Sequence, residues 1–150
     1  MNSIEVVDTL AGVPAAEWNR LAGGAAFLSH EFLSALHETG CASSATGWTP
    51  QYLLLKRNGS LSGAMPLYLK THSYGEYVFD WAWADAYNRH GIAYYPKLLS
   101  AVPFTPVTGM RLLAETDDDR ELLIDGALEL ARVLRVSSLH CLFPERGEAQ

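Results

Sequence analysis

Apolar residues recur along the chain with two periods, and the changes between them outline its elements. "IEVVD" (Ile4 to Asp8) predicts a short strand. "VPAAEWNRLAGG" then switches to helical spacing, with Pro14 in its first turn and Gly23-Gly24 ending it. "LSHEFLSALHETG" predicts a second helix, with Ser29 as N-cap, Phe32, Leu33 and Leu36 at helical spacing, and Gly40 as the stop.

The clearest local signal is "QYLLLKRNGSLSGAMPLYLKTH". Two apolar strands flank Asn58-Gly59, a dipeptide that readily takes the positive φ of a tight hairpin turn. Pro66 cannot donate to a ladder, so it marks a bulge or an edge in the second strand. Beyond it, residues 77 to 81 read as extended, "WADAYNRHG" as a short helix ended by Gly91, and "YYPKLLSAVPF" as a strand. "TPVTG" is turn-rich. "TDDDRELLIDGALELARVLRV" is the strongest helix: Thr116 caps it, acids fill its first turn, and Arg132 and Arg135 lie near its end. Leu122, Leu123, Ala127, Leu130 and Leu134 form its apolar stripe. "SSLHCLF" closes the chain as a strand alternating Leu139, Cys141 and Phe143. The order β-α-α-β-β-(α)-β-α-β predicts an α/β (α+β) fold with a mixed, largely antiparallel sheet flanked by helices.

Composition narrows the function classes. Of 150 residues, 49% are apolar and 19% charged, a globular balance with enough chain for a core. Net charge is −6 and no basic run exceeds Lys56-Arg57, which excludes an electrostatic footprint for duplex nucleic acid. No window approaches the roughly 18 apolar residues of a membrane span, and the N-terminus lacks the pattern of a signal peptide. Cys41 and Cys141 have no CxxC spacing and read as buried free thiols of a cytoplasmic protein. His30, His37, His90 and His140 share no metal-ligand spacing, so no metal site is expected.

Candidate chemistry concentrates in "HSYGEYVFDWAWADAY", residues 72 to 87, where three tyrosines, a phenylalanine and two tryptophans surround Glu76, Asp80 and Asp85. A carboxylate among rings has its pKa raised by desolvation, which suits a general base for an amine nucleophile; the structural alternative is a network bonded to tyrosine hydroxyls. His72 adjoins the run and is a candidate proton shuttle. Tyr74, Tyr77, Trp81, Trp83 and Tyr87 would line a pocket for a sugar, peptide or acyl chain, or else pack as alternating core residues of a strand. Lys97 follows Tyr94-Tyr95-Pro96 as a ligand for a carboxylate or phosphate, or as a solvated lysine. In "PFTPVTG", two prolines fix a loop beside a strand end, making Phe104, Thr105 and Thr108 substrate-binding candidates or parts of a structural turn.

"PLYLKTHSYGEYVFDWAWADAY" followed by "YYPKLLSAVPFTPVTGMRLL" resembles the FemAB-like family of tandem-GNAT proteins, described as GNAT-type N-acyltransferases or peptidoglycan-biosynthesis proteins. "FLSHEFLSALHETG" and "GWTPQYLLL" extend the resemblance over roughly Phe27 to Leu113, and the element order is similar to a GNAT fold. The resemblance implies N-acyl or aminoacyl transfer to a small-molecule or peptide amine acceptor. It also implies that residues 1–150 form one GNAT-like domain, the N-terminal half of a longer protein, partnered by a second GNAT half or by self-association. GNAT enzymes hold acyl-coenzyme A on a Gly-rich turn, Q/R-x-x-G-x-G/A, opening the helix after the fourth strand. Here that helix opens "AETDDDRE" and no glycine lies between Gly109 and Gly126. No cofactor is therefore expected in this half, an acyl-CoA or aminoacyl donor belonging to the full-length protein. The alternative is a non-catalytic, degenerate half that binds a peptide or glycan.

Overall fold

In the computed structural model, which describes residues 1–150, the elements run β1 (Asn2–Val7), α1 (Ala15–Ala22), α2 (His30–Glu38), β2 (Trp48–Pro50), β3 (Tyr52–Arg57) and β4 (Ser60–Met65). They continue with β5 (Tyr68–Lys70), α3 (Trp81–Arg89), β6 (Lys97–Ser100), β7 (Leu113–Ala114), α4 (Asp117–Leu134) and β8 (Leu139–Cys141). The hairpin between β3 and β4 turns at Asn58 and Gly59, with φ of 52° and 84°, the geometry their side chains favour. The Ser29 hydroxyl caps α2 by accepting from the Phe32 amide, and the Thr116 hydroxyl caps α4 by accepting from the Asp119 amide.

The strands form two four-stranded sheets, ordered β1-β3-β4-β7 and β2-β5-β6-β8. Every pair is antiparallel except β6 with β8, which is parallel and joined by the crossover through α4. The expected α+β, GNAT-like architecture is present, with its sheet divided in two. The division falls at Pro66, where β4 runs into β5. Proline supplies no ladder hydrogen there, and across the break the Gln51 amide donates to the Leu67 carbonyl at 2.8 Å.

Strand β3 is buried on both faces, which is why "YLLL" reads as a continuous apolar run rather than an alternation. Tyr52 and Leu54 join Ala64, Tyr68 and Leu99 beneath Trp18, Leu21 and Leu33 of α1 and α2. Leu53, Leu55 and Met65 face the other way, against Leu123 and Ala127 of α4. The acidic start of α4 is tied down: Asp119 is buried and accepts from Arg57 Nε at 2.7 Å, and Asp117 accepts from Arg120 at 2.6 Å.

Three expectations are corrected. Residues 77 to 81 are not a strand: Gly75 and Tyr77 take φ of 85° and 59°, turning the chain, and Trp81 opens α3. The aromatic spacing that mimics alternation is helical from Trp83 to Tyr87, so Tyr77, Phe79, Trp81 and Trp83 are exposed rather than one buried face. Both cysteines are exposed, because β8 lies at the sheet's edge and Cys41 in the turn after α2. The short strand β7, within what reads as loop, is an addition. No helix is long and apolar enough to cross a membrane.

Candidate functional site

Lys70 and Lys97 are cross-strand partners on β5 and β6, and both are buried to 1% exposure or less. Strand parity puts them on the face that carries Tyr68 and Leu99, beyond the end covered by α1 and α2. Like charges directly opposite each other destabilise a sheet, so each lysine needs a separate solution. Lys97 Nζ donates to Glu76 Oε2 at 3.0 Å and to Asp80 Oδ2 at 2.5 Å. Lys70 Nζ sits 3.9 Å from the centre of the Trp48 ring and donates to the Tyr74 carbonyl at 2.9 Å. Residues 71–80 thus cross the end of the sheet as a strap, fixed to it by two carboxylates and one backbone carbonyl.

Asp80 is the centre of the network. Its Oδ2 also accepts from the Tyr94 hydroxyl at 2.6 Å, and its Oδ1 accepts from the Tyr95 hydroxyl at 2.7 Å. Burial pushes the Asp80 carboxyl up, but the hydrogen bonds from Lys97, Tyr94 and Tyr95 outweigh it and hold the group well below the usual carboxylate range. Glu76 goes the other way: burial raises its carboxyl despite Lys97, and its Oε1 has no hydrogen-bond partner. Burial, followed by donation to Asp80, raises the Tyr94 hydroxyl, and the Tyr95 hydroxyl is pushed up to about 12. Burial lowers Lys70 to about 8, with Lys97 adding to the effect and Glu76 opposing it.

Beside this network lies a cavity of about 360 Å³. Asp80 and Tyr94 border it on one side, with Val78 and Phe79 of the strap. Trp83 and Tyr87, one turn apart on α3, form the aromatic wall; Tyr87 meets Tyr94 edge to face at 5.2 Å. The lining is completed by His140 of β8 and by Ser138 just before that strand, with Ser138 Oγ 2.8 Å from His140 Nε2. Parallel pairing opposes His140 to Leu99, so its ring shares a face with both lysines. Burial, then the charge of Lys97, lowers the His140 imidazole below its ordinary value and keeps it neutral at neutral pH. A larger groove of about 690 Å³ runs between β1 and α1, where three of the four charged residues are engaged, Lys56 with Glu5 and Glu17 with the Leu61 amide, leaving Asp8.

The structure brings some sequence candidates together and separates others. Glu76, Asp80 and Lys97 form one buried cluster, so Lys97 is not a solvated lysine. Asp80, Trp83 and Tyr87 border the cavity. Asp85 lies on the outer side of α3, exposed and paired with Arg89. His72 packs on Gly47 and accepts from the Tyr74 amide at 3.2 Å, with the Tyr74 ring 5.0 Å away. Trp81 makes a tilted contact with Phe79 at 5.1 Å but does not itself line the cavity, and Tyr77 is exposed. Phe104 packs on Trp48 at 5.6 Å, Thr105 Oγ1 donates to the Pro103 carbonyl, and Thr108 lines a separate recess with Val107 and Phe27.

Sequence reasoning missed Lys70, Tyr94, Ser138 and His140. Alternation in "SSLHCLF" carried a signal for the last: if Leu139 is in one core, His140 must face the other side. No group of three or more His, Cys, Asp or Glu residues is arranged to hold a metal. No curated protein and no solved structure matches the chain. Residues 9–150 match the FemAB-like family, described as peptidoglycan biosynthesis/recognition, and with nearly its whole length matched the chain belongs to that family.

Proposed function

We propose that this chain takes part in N-acyl or aminoacyl transfer to an amine of a peptidoglycan precursor, and that the cavity under α3 receives the acceptor. The observation that carries the reading is the cavity's mixed lining, which combines the rings of Trp83, Tyr87 and Tyr94 with the Ser138 hydroxyl and the His140 imidazole. Rings bind the C–H faces of sugars and the apolar stems of peptides, while few polar groups fix orientation. A volume of about 360 Å³ suits one sugar ring or one amino-acid side chain with its neighbours.

In this reading Asp80 and Glu76 act by holding the strap that carries Val78 and Phe79, and Lys97 is their counter-ion. The donor, an acyl-CoA or an aminoacyl ester, approaches from outside this cavity. The first turn of α4 is an unfavourable seat for its phosphates, since Asp117, Asp118 and Asp119 already occupy the positive end of the helix dipole. Asp85, His72, Thr105 and Thr108 are not among the residues that line the cavity.

A binding-only role is favoured by one feature: Asp80 is saturated by three donors and is a poor base. Titrating a soluble muropeptide with a free side-chain amine against tryptophan fluorescence tests the shared premise. Trp83→Ala should weaken binding by about tenfold or more, as truncating a central aromatic anchor does. Equal affinity of Trp83→Ala and wild type would remove the cavity from the function.

A further inference from the structure

We propose that Ser138 and His140 are the proton-accepting dyad of the acceptor cavity, so that the base for the amine comes from β8 rather than from the carboxylates of the strap. The inference rests on the acceptor reading above and adds to it the residues that do the chemistry.

Asp80 gives both oxygens to Lys97, Tyr94 and Tyr95. Glu76 lies beneath the strap at 3% exposure and does not reach the cavity, and His72 lies outside it. His140 is the remaining titratable group in the lining with a basic lone pair near neutral pH. Its surroundings keep it in that state: burial disfavours the charged ring, Lys97 disfavours a second cation, the Tyr94 ring lies edge-on at 6.2 Å, Tyr87 also lines the cavity, and the partly opposing Asp80 charge is spent on Lys97.

The hydroxyl partner is also oriented. Ser137 gives its hydrogen to the Tyr94 carbonyl, so at 3.3 Å from Ser138 Oγ it can offer only an acceptor, in competition with the imidazole for the single Ser138 hydrogen. His140 Nε2 is closer, at 2.8 Å, and with the ring proton on Nδ1 it takes the Ser138 hydrogen. The dyad therefore presents Ser138 Oγ to the cavity as an acceptor backed by imidazole. A neutral amine donating to Ser138 Oγ loses its proton through the hydroxyl to His140 Nε2 as its nitrogen attacks the donor's carbonyl. The new C–N bond forms, the C–S bond of a thioester or C–O bond of an ester breaks, and the imidazolium returns the proton to the leaving sulfur or oxygen.

The test uses the full-length protein, a soluble muropeptide with a free side-chain amine, and two donors, acetyl-coenzyme A and an aminoacyl ester. His140→Gln preserves a hydrogen bond to Ser138 but cannot take a proton; it should lower kcat about 100-fold with KM within about threefold. Ser138→Ala should lower kcat about tenfold, and the wild-type rise of kcat with pH through the imidazole's titration should vanish in His140→Gln. His140→Asn provides a second variant, and melting curves confirm that each is folded. If the muropeptide is acylated and His140→Gln keeps both its rate and the acid limb, the dyad is overturned while the acceptor reading stands. If wild type binds the muropeptide without transferring to it from either donor, transfer and dyad fall together and the binding-only role remains. If it does not bind, the acceptor reading falls too.

Discussion

Beneath α1 and α2, one face of the sheet is covered by Trp18, Leu21 and Leu33 packed on Tyr52, Leu54 and Ala64. Beneath residues 71–80 and α3, the same face carries Lys70, Lys97 and His140. At the first end, the side chains that bury the face are themselves buried. At the second, the strap buries its carboxylates and leaves Tyr77, Phe79, Trp81 and Trp83 largely in solvent. The usual allocation is inverted there. A stretch that spends polar groups on its interior and aromatic rings on its surface is shaped for contact with something outside the fold.

The contrast is broken most forcefully at Lys97. Lys97→Met leaves Glu76 and Asp80 buried without their cation, and should cost about 3–5 kcal/mol in denaturant unfolding, the usual penalty for stranding a buried charge. Leu54→Ala at the apolar end should cost about 2–4 kcal/mol by cavity formation. A pH-independent cost for Leu54→Ala and a pH-dependent one for Lys97→Met would separate the two ends by mechanism; parallel pH profiles would erase the distinction. Lys70→Met is the counter-test. Lys70 is lowered to about 8 and is repelled by Lys97, so methionine over the Trp48 ring should leave stability at pH 7 within about 1 kcal/mol of wild type.

Titration sharpens the comparison further. Asp80 is depressed in the folded state, so its contribution is fully present above its unfolded value of about 3.9 and is lost as pH falls below it. Glu76 is raised, so its contribution is present below about 4.3 and is lost as pH climbs through its higher folded value. Asp80→Asn should flatten the stability profile below about pH 4, and Glu76→Gln should flatten it above that point. Identical profiles for the two variants would contradict the opposed shifts. The smallest effect is expected at Asp85, whose surface pair with Arg89 is exposed: Asp85→Asn should move stability by no more than about 0.5 kcal/mol.

These differences bear on what the sequence made legible. Asn58-Gly59, Ser29 and Thr116 act through neighbours a few residues away, so the hairpin and two helix starts could be read directly. The apolar stripe of α4 was legible for the same reason. The site was legible only as a region. Glu76 and Asp80 lie among the aromatic residues that drew attention to them, but Lys97, Tyr94 and Tyr95 complete their network from 14 to 21 positions away. The strand expected over residues 77 to 81 failed because alternation and helical spacing coincide over so short a run, and Gly75 and Tyr77 decide between them through backbone angles. Asp85 looked equivalent to Asp80 in sequence, yet it faces away from the network. His140 was passed over because it has no ligand spacing, and its place in the cavity lining depends on which way it faces from β8.

The Phe104 amide donates to the Gly75 carbonyl at 3.0 Å, and the Phe104 ring fills the space a β-carbon on Gly75 would enter, within 2.6 Å. The strap and the 103–108 loop are therefore geared together. A fluctuation that lifts residues 74–80 off the sheet must either carry Phe104 along or break its hydrogen bond, so both loops should open as one cooperative unit. Hydrogen exchange at the Phe104 amide would then act as a remote clock for access to the cavity, and any side chain at position 75 would jam the gear in both loops.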